Sequence, residues 1–221
     1  VGADPSAACL VDARNGFNLL MRLFILYTVQ HCWTSGSRCA LNCYRHSAQL
    51  ICRRKGLHAH ILLSHKGVTQ GNPLATVLYG LALVPLVKRI WEAEPLIVQP
   101  WYADNMAMAG PVSGIVRAMM LLEIHGPQRG YYPEPTKSII VCRPTYQVAA
   151  RAVLEEFNFQ YHDGHRYIGG FVNTTESHDQ WLEPQIQEWV KGIKQLAKVA
   201  PRYPQTAFAG MGKSMQMQWQ Y

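Results

Sequence analysis

The stretch QPWYADNMAMAG, residues 99–110, sets one acidic side chain, Asp104, among mostly apolar neighbours, with Asn105 directly after it. The apolar runs on either side, 97–103 and 106–109, predict two strands folded back on each other with Asp104 and Asn105 at the turn. An Asp-Asn pair suits such a turn, because each short polar side chain can hydrogen-bond nearby backbone. A second acid has the same local setting. Asp12 closes the apolar run ACLVD, residues 8–12, which predicts a buried strand with a carboxylate at its C-terminal tip. If these strands are neighbours in one sheet, the two carboxylates meet. Alone they would repel, and one would resist ionising. With a divalent cation between them they become hard oxygen ligands of the kind Mg2+ takes alongside phosphates. Residue types and spacing leave both readings open: turn residues, or a metal-holding pair.

Outward from these acids, Asn15-Gly16 gives a turn signal after the first strand. Residues 19–30 and 38–48 have helical patterning, split by Thr34-Ser35-Gly36-Ser37. Residues 48–53 and 58–65 predict a hairpin turning at Lys55-Gly56. The segment GVTQGNP, 67–73, predicts a loop, with Pro73 opening a helix over 74–91. Further helices are predicted over 113–124, 147–158 and 181–199, and strands over 138–142 and 166–172. Strands, hairpins and helices are mixed without regular alternation, so the predicted class is α+β rather than a doubly wound sheet. Neither G-x-G-x-x-G nor G-x-x-x-x-G-K-[ST] occurs, which excludes the usual phosphate-cradling glycine loops.

Of the 221 residues, 48% are hydrophobic, enough for one substantial core. The net charge of +7 is uneven: residues 1–66 hold eight Lys/Arg against two acids, and the remainder 13 against 12. A basic first third points to a polyanionic partner, nucleic acid before membrane. No apolar run reaches the ~18 residues that a spanning helix needs. No signal peptide is visible, so an intracellular protein without a membrane partner is expected. The chain opens on Val1 rather than Met, which reads as a piece of a longer protein. Cys39, Cys43, His46 and Cys52 form C-x3-C-x2-H-x5-C, the first three on one helix face. This resembles a zinc-ligand set but has no standard spacing, and buried thiols on a helix explain it as well.

Five segments stand in an order that resembles the palm of reverse transcriptases, RNA-directed DNA polymerases, of the eukaryotic retroelement type. VDARNGFN (11–18) resembles motif A, and GVTQGNPLATVLYGLALVPL (67–86) resembles motif B. WYADN (101–105) resembles motif C, whose usual form is Y-x-D-D. GYYPEPTKS (130–138) resembles the lysine-bearing motif D, and RYIGG (166–170) motif E, the primer-grip hairpin. The resemblance implies an α+β palm over residues 1–175, with a central antiparallel sheet and helices packed on one face. Most of the fingers would lie outside the chain, and a helical extension over 176–221 would lead toward the thumb. It also implies nucleotidyl transfer with two Mg2+ or Mn2+ ions, using deoxynucleoside triphosphates and an RNA or DNA template with primer. Asp12 and Asp104 would ligate the metals and, with Asn105 and Lys137, make up the catalytic set. Ala13, Phe17, Gln70, Gly71 and Pro73 would surround the incoming nucleotide, Phe17 by leaving no room for a 2′-hydroxyl. Lys137 would approach the triphosphate. Tyr167, Gly169 and Gly170 would form the primer grip.

Two positions depart from that pattern. Asn105 stands where motif C has its second aspartate, and Asn72 where relatives carry Asp. An amide oxygen can coordinate but brings no charge, so Asn105 reads as a missing carboxylate. Losing a charge-assisted contact of this kind commonly costs ~2–4 kcal/mol of transition-state stabilisation, about a hundredfold or more in rate. The expectation is a polymerase fragment impaired at its metal site. The alternative is a non-catalytic nucleic-acid-binding remnant of the same scaffold.

Overall fold

The computed structural model describes residues 4–53, 59–69, 71–173 and 175–218. The expected turn at Lys55-Gly56 lies outside the described residues. β1 (Ser6–Val11) is followed by the one-turn α1 (Gly16–Leu19), α2 (Arg22–Cys32) and α3 (Thr34–Tyr44). The hairpin β2 (Ala48–Cys52) and β3 (His60–Ser64) leads to α4 (Ala75–Ala93), β4 (Trp101–Tyr102), β5 (Asn105–Pro111) and α5 (Val112–Arg129). Then come β6 (Ile139–Val141), α6 (Pro144–Val153), β7 (Gln160–His162), β8 (Gly164–Tyr167) and β9 (Gly170–Asn173). α7 (Thr175–Val199), α8 (Pro204–Gly210), a π-helical turn (Met211–Met215) and α9 (Gln216–Gln218) follow. The class is α+β, with a central, mostly antiparallel sheet in the order β4-β5-β1-β6-β7.

The chain divides into two compact units, Val1–Ile140 with Val148–Gln160, and Val141–Gln147 with Tyr161–Tyr221. Compactness groups the β8–β9 hairpin with the C-terminal helices, whereas the motif reading draws its line at 175. In the first unit, α5 packs on β5 and β1, and α4 packs on α5. Ile115, Ala118, Met119 and Leu122 give α5 its buried stripe, and Leu78, Ala82, Leu86 and Ile90 give α4 a similar one. Glu94, buried at the end of α4, takes a bidentate pair from Arg117 of α5 at 2.5 and 2.8 Å. No helix among the described residues is long and apolar enough to cross a membrane.

Several local expectations are corrected. Thr34–Ser37 lies inside α3, and the break falls at Trp33. Gly36 permits this, because a Cβ there would sit 2.5 Å from the Trp33 ring. α5 continues past 124 to Arg129 and stops at Gly130, whose left-handed backbone (φ 85) caps it. Residues 166–172, read from their pattern as one strand, are parts of a hairpin. Ile168 (φ 46) and Gly169 (φ 77) form its two-residue left-handed turn.

One buried side chain ties the polar connections of the first unit together. Arg22 of α2 donates from Nε to the Gly67 carbonyl at 3.0 Å and from Nη1 to the His46 and Ser64 carbonyls at 3.0 and 2.8 Å. It lies over the Tyr44 ring, 5.5 Å from the centroid, and burial pulls its pKa down. The Tyr44 hydroxyl in turn accepts from the Thr69 N–H and the Asn72 amide. The ends of α3 and β3 and the loop residues Gly67, Thr69 and Asn72 are thus anchored through Arg22 and Tyr44. Arg22→Ala orphans three carbonyls, so urea unfolding is expected to register a loss of about 2–4 kcal/mol. A loss below about 0.5 kcal/mol, the range of an ordinary surface change, would contradict the anchoring role.

Candidate active site

The antiparallel register of β1 and β5 runs from Ser6↔Pro111 to Val11↔Met106. Asp12 follows directly after the end of β1, and Asn105, preceded by Asp104, is the first residue of β5. β4 and β5 pair Tyr102 with Asn105, so the hairpin turn is Ala103-Asp104, not Asp104-Asn105. Ala103 carries the positive φ of 53 that the tight turn demands. The correction matters chemically: Asp104 occupies the tip beside the end of β1, and Asn105 begins a strand, exposed to solvent.

Asp104 acts on Asp12. The Asp12 carboxyl is pushed up from its ordinary pKa chiefly by partial burial. Lys137 pulls it down, Glu134 and Asp104 push it up, and the Ala13 N–H pulls it down again. Three carboxylates and one ammonium therefore share the end of the sheet. The motif D segment is laced to this end by its backbone. The Glu134 N–H donates to the Asp12 carbonyl at 2.8 Å, the Arg14 N–H to the Tyr132 carbonyl at 2.9 Å, and the Asp12 N–H to Ser138 Oγ at 3.1 Å. Lys137 is held by Glu134, with Nζ 2.5 Å from Oε2, and is largely exposed, so solvent screens that pair.

Phe17, in α1, rests against Tyr79 of α4, with ring centroids 4.9 Å apart. Gly16 is the contact point of three motifs: a Cβ there would lie 2.7 Å from both Asp104 Cβ and Tyr79 Oη. The Tyr79 hydroxyl is buried without a hydrogen-bond partner, and burial and Asp104 push its pKa up. The motif B loop is pinned to the same helix, since the Val68 N–H donates to the Phe17 carbonyl at 2.9 Å and the Gly67 N–H to the Leu20 carbonyl at 2.7 Å. Gly71 (φ 87) and Pro73 are exposed in that loop, and a Cβ on Gly71 would meet nothing within 4 Å. Gln70 lies outside the described residues. Asn72 caps the turn into α4, its Oδ1 accepting from the Leu74 N–H at 2.9 Å. Ala13 is buried and bridged to Pro133.

The structure thus brings Asp12, Asp104, Asn105, Phe17 and Lys137 to one end of the first unit. Tyr167, Gly169 and Gly170 belong to the second unit, at the β8–β9 turn. The Tyr167 hydroxyl is buried without a partner and pushed up to about 12 by burial. Sequence reasoning missed Gly16 as a contact point, Tyr79, Glu134 and Arg22. Tyr79 carried a signal, falling one helical turn beyond Ala75 on the stripe that follows the motif B loop. Among the described residues no three His, Cys, Asp or Glu side chains are placed to hold one metal ion, Cys39, Cys43, His46 and Cys52 included, and the thiols of Cys39, Cys43 and Cys52 are exposed rather than buried.

No protein-family model matches the chain, and no curated protein matches it by sequence. Solved structures do. A telomerase from Candida albicans in complex with a TWJ fragment of telomeric RNA superposes with a TM-score of 0.58 at 11% identity, over 77% of this chain and 30% of that one. Apo telomerase from Candida tropicalis gives 0.59 at 9% identity, over 76% and 31%. Its form truncated from the C-terminal domain gives 0.55 at 10%, over 76% and 34%. The chain spans about a third of the length of these structures. The likeness shows a reverse-transcriptase-like fold.

Gly16 tests the site's packing. Gly16→Ala forces Asp104 or Tyr79 to shift, with an expected cost of about 1–3 kcal/mol in urea unfolding. Gly80→Ala, on the same α4 but with open space at its Cβ, is expected to be neutral or to stabilise by up to about 1 kcal/mol. Equal effects at the two positions would remove Gly16 as a contact point.

Proposed function

We propose that this chain is a palm of retroelement reverse-transcriptase type, whose site is arranged for transfer of deoxynucleotides onto a primer along an RNA or DNA template. In this reading Asn105 weakens the chemistry. The observation that carries it is the convergence of Asp12 and Asp104 at the ends of neighbouring antiparallel strands, where Asp104 disfavours the charge on Asp12. Lys137 and the Ala13 N–H offset only part of that cost, and a partly buried carboxylate beside other acids suits a cation. The fold supports it, and one of the similar telomerases was solved with a fragment of telomeric RNA.

The residues present fit Mg2+ or Mn2+. Two carboxylates are the usual protein share of such a site, the remaining ligands being phosphate oxygens and water. Gly16, with no Cβ, lets α1 pack close against Asp104. Asp12 and Asp104 would hold the metal, which supplies neutralisation of charge on the phosphates undergoing in-line displacement. A second ion would need the charge that Asn105 lacks. Phe17, braced by Tyr79, presents a rigid ring toward the sugar of an incoming nucleotide. Gly71 lets the backbone of the motif B loop approach a base pair without a side chain between. Lys137 would exchange its exposed pairing with Glu134 for a triphosphate oxygen.

A second reading, a nucleic-acid binder that keeps the scaffold without the reaction, is favoured by the same Asn105 and by the pairing of Lys137 with Glu134. Primer extension on an RNA template, with Mg2+ and then Mn2+, separates the two. Asn105→Asp is expected to raise extension about a hundredfold or more over the native chain. Binding without extension in both forms would favour the second reading, and Asp104→Ala leaving revertant extension intact would sink the first.

A further inference from the structure

The second unit contains a cavity of about 620 Å³, lined in part by Gly169 and Gly170 of the β8–β9 turn. That volume falls within the ~300–1,000 Å³ usual for small-ligand sites. Its floor is aromatic. Phe171 of β9 and Trp181 of α7 stack nearly parallel, centroids 4.8 Å apart at 12°, and Trp189 lines the wall two turns further along α7. Its edge is polar, with Gln185 and Glu188 from α7 and Arg166 from β8. Among the described residues Arg166 and Glu188 form no ion pair with each other or with any other residue, although they line the same space. Side chains of opposite sign that share a cavity unpaired, beside flat rings, fit a ligand that is planar, bears hydrogen-bonding groups at its edge and carries an anion. A nucleotide has those three properties. The rings take the base by stacking, Gln185 and Glu188 meet its edge, and the guanidinium takes a phosphate oxygen.

We propose that the cavity between β8–β9 and α7 binds an unpaired nucleobase with its phosphate, stacked on the Trp181 side of the Phe171–Trp181 pair. This rests on the reading of the chain as a nucleic-acid-binding scaffold. It adds a stacking site apart from the two aspartates, one that needs neither of them nor a metal.

The test is fluorescence anisotropy of a labelled short single-stranded RNA with the full chain, without divalent ions, beside an abasic strand of equal length and charge. Trp181→Ala and Trp189→Ala are expected to weaken RNA binding on the order of tenfold to a hundredfold. Trp181→Phe keeps most of the affinity, and Arg166→Gln weakens both strands alike. The abasic strand is expected to bind weakly and to ignore the Trp substitutions. A nucleoside monophosphate that competes at concentrations well below those needed for salt displacement marks a free nucleotide as the source of the base. Competition by strands alone marks the strand. Trp189→Ala and Arg166→Gln keep the test decisive if Trp181→Ala fails to fold. Equal affinity for base-bearing and abasic strands overturns the stacking site and leaves the nucleic-acid reading standing. No binding of either strand by the native chain overturns both.

Discussion

The pairing register of β1 against β5 is the constraint on which the rest depends. It runs for six residue pairs and ends with Val11 opposite Met106. Because side chains alternate along a strand, a slip of β5 by one residue would turn Met106 and Met108, both fully buried, to the other face. The core therefore fixes the register, and the register fixes where the two acids emerge. Asp12 leaves β1 at the level where β5 begins, and the two-residue turn at Ala103 delivers Asp104 beside it. The stability of the sheet offsets the repulsion between the carboxylates, so apolar packing finances a charge arrangement that the chain would otherwise shed.

Around that pair the other parts are held by backbone rather than by complementary charge. The motif D segment is fastened through Glu134, Tyr132 and Ser138, and the motif B loop through Gly67 and Val68 to α1. Arg22 and Tyr44 anchor the ends of α3 and β3 and the loop residues Gly67, Thr69 and Asn72. Such a frame positions acids without neutralising them. Lys137 is the exception, and its exposed pairing with Glu134 is weak enough to be exchanged. Asn105 then stands out as a local feature: an exposed amide at the start of β5, directly after Asp104.

Much of this was legible in the sequence because both acids end apolar runs, and apolar periodicity is the strongest local signal a chain carries. The α+β class, α4 after the Gly-Pro loop and the pairing of 97–109 into a hairpin came from that signal. The turn position did not, since Ala103 in a left-handed conformation contradicts its own preference and is imposed by the strand register. Trp33 rather than Thr34–Ser37 breaks the helix because a ring fills the space that Gly36 leaves, a contact no spacing rule encodes. Arg22 and Glu134 were illegible for a related reason. The carbonyls that Arg22 meets, and the Asp12 that Glu134 bonds through its backbone, lie far away in sequence, and each looks locally like an ordinary helix or loop residue.

The central claim is that Asp12 and Asp104 form one cation-dependent unit. The most direct measurement is a carbon-detected NMR titration of the Asp12 carboxyl, with and without Mg2+, in the native chain and in Asp104→Asn. Without the ion, Asp12 is expected to titrate above the ordinary carboxylate range, because burial and neighbouring acids disfavour its charge. Added Mg2+ is expected to move the titration to lower pH, since a cation favours the ionised form, and Asp104→Asn is expected to diminish that movement. An Asp12 titration indifferent both to Mg2+ and to the loss of the Asp104 charge would contradict the account.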